Sequence, residues 1–182
     1  MTSPIAIDFS TGQLSGPGIV SIERTIGEMA GIFLDERARQ ALDPEFVIYR
    51  MQEYAPANKG GAAGLYWGRT SIEPGLVGDE YFMTKGHLHV KRDRSEFYVT
   101  AEGSGALILM NEDGETALES MQRGSVHYIP GFAAHRVANI GNSLLSFIAC
   151  WMSDAGHDYS PSTRFGARLR RVNGIPSLVA EP

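Results

Sequence analysis

The sequence predicts an all-β fold, a jelly-roll β-barrel with a short N-terminal helical segment, and three observations support that prediction. Short apolar runs alternate at regular intervals with turn residues, which is typical of the strands of a barrel. Three histidines and one glutamate come from separate parts of the chain at spacings that allow a barrel to direct their side chains inward. The length of 182 residues, with 43% hydrophobic and 20% charged residues, indicates one globular core.

The first predicted element is helical. Apolar residues recur at spacings of three and four over residues 26–42, and an Asp-Pro pair ends the pattern. Gly27 and Gly31 weaken this helix, because glycine is a poor helix former. We therefore predict a helical segment within residues 20–43.

Predicted strands and hairpins occupy the rest of the chain. An Asn-Glu-Asp-Gly sequence at residues 111–114 and the Asn173-Gly174 pair each predict a hairpin turn. We expect a single domain over residues 1–182, with the barrel at 45–160 and a C-terminal hairpin at 161–182. The predicted strands cover residues 46–54, 65–71, 81–83, 97–101, 106–110, 117–121, 126–129 and 144–152.

A histidine-rich stretch marks the candidate functional site. His87 and His89 are two residues apart, so an extended strand directs both to one face. Glu96 has the opposite parity, so the polar residues 91–94 must form a loop before the next strand. Together with His135, these side chains supply three imidazoles and one carboxylate. Such a set leaves coordination positions open, as a catalytic metal site requires.

Charge and composition exclude several function classes. A net charge of −5 argues against nucleic acid as a partner. The chain has no signal-peptide pattern and no apolar run of roughly 18 residues, so we expect a cytoplasmic protein without a membrane partner. His127 lies in an apolar run and is predicted to be structural. A solvated strand face is predicted for the one basic cluster, Arg164, Arg168, Arg170 and Arg171.

The metal motif resembles the two sequence motifs of the cupins. The first cupin motif, His-x-His with a later Glu and Gly, is matched by His87, His89, Glu96 and Gly103, and the second by Gly124, Pro130, His135 and Asn139. The spacing from His89 to Glu96 is longer than in the common motif, and Phe132 replaces a usual glycine. The resemblance implies a barrel with a metal in its mouth, but no substrate class.

A narrower resemblance covers most of the chain, from about residue 8 to residue 159. Residues 33–38, 82–89, 93–99, 134–141 and 154–159 are similar to the cupin-type phosphoglucose isomerases of archaea and some bacteria. This resemblance implies reversible conversion of glucose 6-phosphate and fructose 6-phosphate, a reaction of glycolysis and gluconeogenesis. It also implies a homodimer with one divalent ion per subunit, Fe(II) being expected and Mn(II), Zn(II) or Ni(II) remaining open.

Catalytic roles follow from the chemistry of aldose–ketose isomerisation, which moves a hydrogen between C1 and C2 and a proton between two oxygens. If a proton is abstracted, Glu96 is the carboxylate closest to the metal and acts as the base. If a hydride moves directly, Glu96 remains a ligand, and Tyr98 and His157 orient hydroxyls. Both routes stay open here, with the first preferred.

The same resemblance assigns sugar-phosphate contacts to Thr84, Gly86 and Tyr159, with Thr70 as a fourth. Trp151 stands where the archaeal enzymes carry tyrosine, and its indole N–H donates a hydrogen bond but accepts none.

For some of these positions, a purely structural role remains an alternative to substrate binding. For Tyr98 and Trp151, core packing is as good an interpretation as substrate contact. Lys85 and Arg136 flank motif residues, and strand alternation directs them away from the site.

Two other function classes remain in play. A cupin with three histidines and one glutamate also suits a dioxygenase or a decarboxylase. The polar, hydroxyl-rich set Thr84, Tyr98, His157 and Tyr159 favours a sugar phosphate over the apolar substrates usual for dioxygenases. A non-catalytic sugar-binding cupin is the last alternative, because it needs no open metal position.

Overall fold

A computed structural model describes residues 4–56, 64–160 and 165–180. In these ranges the chain forms fifteen β-strands and little helix, so the all-β prediction is confirmed. Arg164 and the ends of the predicted hairpin range, residues 161–164 and 181–182, lie outside the described residues. The strands are β1 (Ala6–Ile7), β2 (Leu14–Ser15), β3 (Ile19–Thr25), β4 (Val47–Tyr54), β5 (Leu65–Ile72), β6 (Leu76–Val77), β7 (Glu80–Tyr81), β8 (Glu96–Glu102), β9 (Ser104–Met110), β10 (Thr116–Gln122), β11 (Val126–Ile129), β12 (Ala134–Asn139), β13 (Leu145–Met152), β14 (Ala167–Val172) and β15 (Ile175–Ala180).

Two antiparallel sheets enclose the core. One has six strands in the order β11-β8-β13-β5-β4-β3, and the other has three in the order β10-β9-β12. Neighbouring strands are often distant in sequence, as in Greek-key and jelly-roll folds. Ile72 and Phe147 of the first sheet and Leu107 and Val137 of the second belong to one buried apolar cluster. The core therefore lies between the two sheets.

An extended segment continues the second sheet next to β12. Thr84 donates its backbone N–H to the Val137 carbonyl at 2.9 Å, and His87 and His135 exchange backbone hydrogen bonds of 3.0 and 3.1 Å. On its other side, Leu88 pairs in the same way with Asp158. This ladder brings three distant parts of the sequence to one end of the barrel.

The N-terminal helical segment is much shorter than predicted. Residues 19–25 form the edge strand β3 instead, a 3-10 turn follows at Gly27–Met29, and the only α-helix of the described residues, α1, covers Glu36–Gln40. Gly31 has a φ of 75°, which is incompatible with a helix, so the pattern breaks there. The predicted apolar spacing is real, since Ile26, Met29 and Phe33 are buried, but an irregular segment buries them.

Most predicted strands are confirmed within one or two residues, and both hairpin turns are confirmed. Asn173 and Gly174 have φ values of 50° and 81° between the paired strands β14 and β15, as an Asn-Gly turn requires. The prediction missed β12 as a strand, because all six of its residues are buried and no alternation marks it. It also missed β1, β2, β3 and β6.

The predicted solvated basic face is wrong for Arg168. Its Nη1 lies 2.9 Å from Oε1 of Glu80, a carboxylate that is almost fully buried and also accepts the Leu34 N–H at 2.6 Å. Arg170 forms a more exposed ion pair with Asp79. These arginines therefore attach the C-terminal hairpin to the strand β7 and the loop before α1.

Candidate metal centre

Four side chains converge at one end of the barrel. His87 comes from the extended segment beside β12, and His135 from β12 itself. Glu96 is the first residue of β8, directly after the loop that follows His89. The ligand atoms of all four lie within 4.8 Å of one another. The structure thus brings together the predicted set, and the loop predicted at residues 91–94 separates His89 from Glu96.

The cluster contains buried polar atoms that the protein leaves without hydrogen bonds. Nε2 of His87, His89 and His135 and Oε1 of Glu96 are all inaccessible to solvent and lack a hydrogen-bond partner. Oε1 of Glu96 lies 2.7 Å from Nε2 of His135 and 3.8 Å from Nε2 of His89. Four such atoms facing one another are costly to bury, whereas one cation satisfies all of them. The donor set therefore fits a divalent metal ion.

Hydrogen bonds to backbone carbonyls set the tautomer and the orientation of two of the imidazoles. Nδ1 of His89 lies 2.8 Å from the Arg94 carbonyl oxygen, and Nδ1 of His135 lies 3.2 Å from that of Ala133. A carbonyl only accepts, so each Nδ1 carries the proton and donates it. This tautomer leaves the Nε2 lone pair directed at the cluster, as metal-ligating histidines require.

Burial and neighbouring charges set the protonation of the site. Burial, followed by the other imidazoles, holds the pKa of His87 well below its usual value, so the ring is neutral. Burial raises the pKa of Glu96, but the nearby His135 and His89 outweigh it and the net shift is downward. Burial and then Glu96 raise the pKa of Tyr98 far above its usual value, so Tyr98 remains a phenol that donates to Glu96.

A cavity of about 200 Å³ opens above the cluster. His87, Glu96 and His135 line its floor, so the metal position faces the cavity and is not closed by protein. Strands β3, β4, β5 and β13 and residues 84–87 form its walls. The remaining predicted site residues all reach this cavity: Thr70, Thr84, Gly86, Tyr98, Trp151, His157 and Tyr159.

Gly86 and Thr84 occupy a backbone segment with special requirements. Gly86 has a φ of 75°, and a Cβ there would meet Nε of Arg136 at 2.8 Å and the Phe165 ring at 2.9 Å. Only glycine therefore fits at position 86.

The Thr84 hydroxyl oxygen accepts the Val137 N–H at 3.1 Å, which leaves its own proton free to donate into the cavity.

The aromatic residues Trp151, His157 and Tyr159 pack against neighbouring rings and also line the cavity. The rings of His157 and Tyr159 stack 5.9 Å apart at 15°, and the His157 ring lies 4.5 Å from that of His87. Trp151 is 9% exposed, packs edge-on against Tyr66 and covers Gly68, where a Cβ would meet its ring at 2.9 Å. Trp151 is thus both a core residue and a cavity residue.

Several cavity residues escaped the sequence prediction. Arg24, Arg69 and Glu53 also line the cavity. Arg24 and Glu53 lie on β3 and β4, and no motif spacing marked them. Lys85, which strand alternation predicts to face away from the site, also lines the cavity, where the segment turns at Gly86.

The other expectations about flanking residues agree with the structure. Arg136 is buried behind the cavity, with its guanidinium 4.0 Å above the Phe165 ring and Nη2 donating to the Lys85 carbonyl at 2.9 Å. His127 lies outside the metal cluster, where its two ring nitrogens contact Glu119 at 2.6 Å and Ser125 at 2.7 Å. Neither residue reaches the four-ligand cluster.

In the described part of the chain, the structure shows no helix that is both long and apolar enough to cross a lipid bilayer.

Among solved structures, oxalate decarboxylase from Bacillus subtilis superposes with a TM-score of 0.48 at 22% identity, over 60% of this chain and 26% of that chain. An oxalate oxidase in complex with the substrate analogue glycolate gives a TM-score of 0.48 at 15% identity, over 84% of this chain and 60% of that chain. No conclusion about chemistry follows from similarities of this size.

Sequence comparison is far more specific. The family model described as glucose-6-phosphate isomerase (GPI) matches residues 23–176. The chain is 39% identical to the glucose-6-phosphate isomerase of Pyrococcus abyssi and 40% identical to that of Pyrococcus furiosus, in both cases over 98% of this chain and 94% of the relative. The enzyme of that name from Sinorhizobium medicae is 33% identical over 91% of this chain and 78% of its own length. The chain therefore belongs to the glucose-6-phosphate isomerase family, in its archaeal and bacterial cupin type.

Proposed function

We propose that this protein interconverts glucose 6-phosphate and fructose 6-phosphate in its open-chain form at the cluster of His87, His89, Glu96 and His135. The observation that carries the proposal is the cluster's position, because three of its four candidate ligands line a cavity of about 200 Å³ together with hydroxyl-bearing side chains. Membership of the isomerase family points to the same reaction.

The reaction needs charge stabilisation at the oxygens on C1 and C2 and a carrier for the hydrogen. His87, His89, Glu96 and His135 would hold a divalent ion, which would supply a Lewis acid for the substrate carbonyl. All remaining steps fall to side chains on the cavity floor and walls.

Glu96 is assigned the proton transfer. Its Oε1 faces His135, and the phenol of Tyr98 donates to the carboxylate. Both groups are buried, so the carboxylate is shielded from water while it takes the proton from one carbon and returns it to the next. If a hydride moves instead, Glu96 serves only as a ligand, and the Glu96→Gln variant described in the Discussion separates the two routes.

His157 and Tyr98 are assigned to the sugar hydroxyls. The His157 ring lies 4.5 Å from the ring of His87 and lines the cavity, so it lies close enough to the metal cluster to contact hydroxyls of a bound sugar. A neutral imidazole both donates and accepts, which suits a hydroxyl that exchanges roles with a carbonyl during the reaction.

The phosphate is assigned to a further set of residues in the cavity. Thr70, Thr84 and Tyr159 offer hydroxyl donors there, Gly86 brings its backbone close, and Trp151 closes the adjacent wall. Hydrogen bonds to a charged phosphate are about twice as strong as those between neutral groups. These residues therefore supply affinity and orientation, and the metal cluster supplies the chemistry.

Fe(II) is the proposed native ion, with Mn(II), Zn(II) and Ni(II) as alternatives, because a mixed set of imidazoles and one carboxylate accepts all of them. The experiment removes metal by chelation, reloads the protein with each ion and follows conversion of fructose 6-phosphate. We expect the chelated protein to be inactive and Fe(II) or Mn(II) to restore turnover. Full activity after demonstrated metal removal contradicts the proposal.

The same samples test the other function classes. If none of the four ions restores isomerase activity but the protein consumes oxygen or breaks down oxalate, a cupin dioxygenase or decarboxylase is favoured. Tight sugar-phosphate binding without turnover would favour a sugar-binding cupin. The His135→Ala variant is the control, since it removes one ligand and should lower both metal content and rate.

We propose in addition a single domain that works as a cytoplasmic homodimer, with a sugar phosphate as its small-molecule partner and with neither nucleic acid nor membrane as a partner. Phe97, Val126 and Tyr128 support the dimer, because they form an exposed apolar patch on the outer face of β8 and β11. Sedimentation of the wild type and of Val126→Glu tests it, since a charge within the interface should yield monomers. The net charge of −5 argues against nucleic acid.

A further inference from the structure

Residues 154–159 do more than carry the cavity residues His157 and Tyr159. Asp154 begins this segment, with its side chain only 2% exposed although it is a carboxylate. It faces the loop at residues 90–95, which connects the ligand His89 to the ligand Glu96. A carboxylate is buried in this way only when it is paired and hydrogen-bonded.

Asp154 binds two cations of that loop. Arg94 donates from Nε to Oδ1 and from Nη2 to Oδ2, both at 2.9 Å, which is a bidentate pair. Lys91 donates from Nζ to Oδ2 at 2.7 Å and from its backbone N–H to the Ala155 carbonyl at 3.0 Å. Both ends of the loop are thereby attached to one buried side chain.

The position of Arg94 matters because its backbone carbonyl is the partner of a metal ligand. That carbonyl oxygen accepts from Nδ1 of His89 at 2.8 Å and so sets the tautomer that directs Nε2 into the cluster. Glu96 follows two residues later and starts β8. A shift of Arg94 would therefore alter the orientation of one ligand and the starting point of another.

A second contact strengthens the same connection. Arg92 donates to the His89 carbonyl at 2.9 Å and to Oδ2 of Asp158 at 2.6 Å. Segment 154–159 thus holds the loop through two carboxylates, while its own His157 and Tyr159 line the cavity.

We propose that Asp154 is a positioning residue of the metal centre, which fixes His89 and Glu96 by holding Arg94 and Lys91. The inference rests on the proposed function, since it concerns the same metal site. It explains why residues 154–159, which lie outside both cupin motifs, contain an aspartate that touches neither cavity nor ligand.

The test measures Mn(II) affinity of the full-length, chelated protein and the visible absorption of its Co(II) form. Loss of a hydrogen-bonded group beyond the ligands typically weakens metal binding about 10- to 100-fold, and we expect about 10-fold for Asp154→Asn because it acts through Arg94. The Co(II) bands should shift, and Asp154→Glu should recover part of the affinity. The matched control is Asp93→Asn, because Asp93 pairs with the same arginine at 2.8 Å but is 63% exposed.

A merely structural role would lower the melting temperature of the metal-free protein and leave the Mn(II) affinity and the Co(II) bands unchanged. That result overturns the inference, as does an Asp93→Asn effect equal to that of Asp154→Asn. If Asp154→Asn fails to fold, the Arg94→Lys variant tests the inference instead. This variant keeps the backbone carbonyl at position 94 but loses the bidentate pair with Asp154. Unchanged Mn(II) affinity in Arg94→Lys overturns the inference.

The proposed function has a separate outcome. If the wild type binds Mn(II) no better than His135→Ala does, the metal site itself is wrong, and the role of Asp154 in it falls as well. If the wild type binds Mn(II) and Asp154→Asn binds it equally well, only the positioning role is refuted.

Discussion

Tyr159→Phe isolates phosphate recognition from metal chemistry. The change removes one hydroxyl and keeps the ring that stacks on His157. A hydrogen bond to a charged group contributes about 1.5 to 3 kcal/mol. Since Tyr159 is 56% exposed and water competes for the phosphate, we use the lower half of this range. The variant should therefore raise KM for fructose 6-phosphate about 10- to 40-fold.

The assay couples glucose 6-phosphate formation to a dehydrogenase and measures KM, kcat and metal content of each variant. We expect kcat and metal content to stay near wild type, because a contact that is equal in ground and transition states appears in KM. Tyr128→Phe is the matched control, with a ring 51% exposed on the outer face of the sheet and far from the cavity lining. An unchanged KM in Tyr159→Phe, or a loss of metal from it, would refute this assignment of the phosphate side.

Substitutions at Thr84, Glu96 and Phe132 test a phosphate contact, the proposed base and a strained backbone position. Thr84→Val should raise KM and also destabilise the fold by about 1 to 3 kcal/mol in denaturant unfolding, because the Val137 N–H loses its acceptor, whereas Thr84→Ser should keep the stability. Glu96→Gln should reduce turnover much more than Fe(II) content if Glu96 is the base, and equal losses would leave it a ligand only. Phe132→Gly should raise the free energy of unfolding by about 1 kcal/mol, because Phe132 has a φ of 64°, where a side chain is strained. Asn173→Gly, at a φ of 50°, should gain less, since asparagine tolerates this region, and an equal gain would show that backbone strain is not the cause.

Phe132 departs from the second cupin motif at a position where the backbone conformation favours glycine. The motif carries glycine at this position, and the structure supplies the reason, since the backbone there is left-handed. The sequence alone indicated a difference without indicating its cost.

In the N-terminal helical segment, the sequence pattern predicted the wrong backbone conformation. Spacings of three and four predicted a helical segment within residues 20–43, and Ile26, Met29 and Phe33 of that pattern are buried, whereas Leu34 is 61% exposed. The chain instead passes through β3, a 3-10 turn and the five-residue α1, because glycines interrupt the helix and β3 gains a partner strand in β4. Periodicity thus identified some of the buried side chains, and the contacts of the whole fold decide the backbone that buries them.

The metal ligands were accessible from the sequence because short spacings constrain side-chain direction. His87 and His89 share a face on any extended strand, and Glu96 can rejoin them only across a loop. These relations are local, so they hold before the fold is known.

Long-range placement was decided only by the tertiary structure. Arg24 and Glu53 reach the cavity because β3 pairs with β4, and β4 pairs with β5, at one side of the large sheet, a relation that no spacing encodes. Asp154 lies beside Arg94, sixty residues away, because the segment after β13 returns along residues 88–91. The sequence by itself determined the all-β class and the candidate ligands His87, His89 and Glu96, since these depend on local alternation and spacing, and a second sequence motif added His135. The cavity walls and the support of the ligand loop depend on which distant strands pair, and pairing is settled by burying the whole core at once.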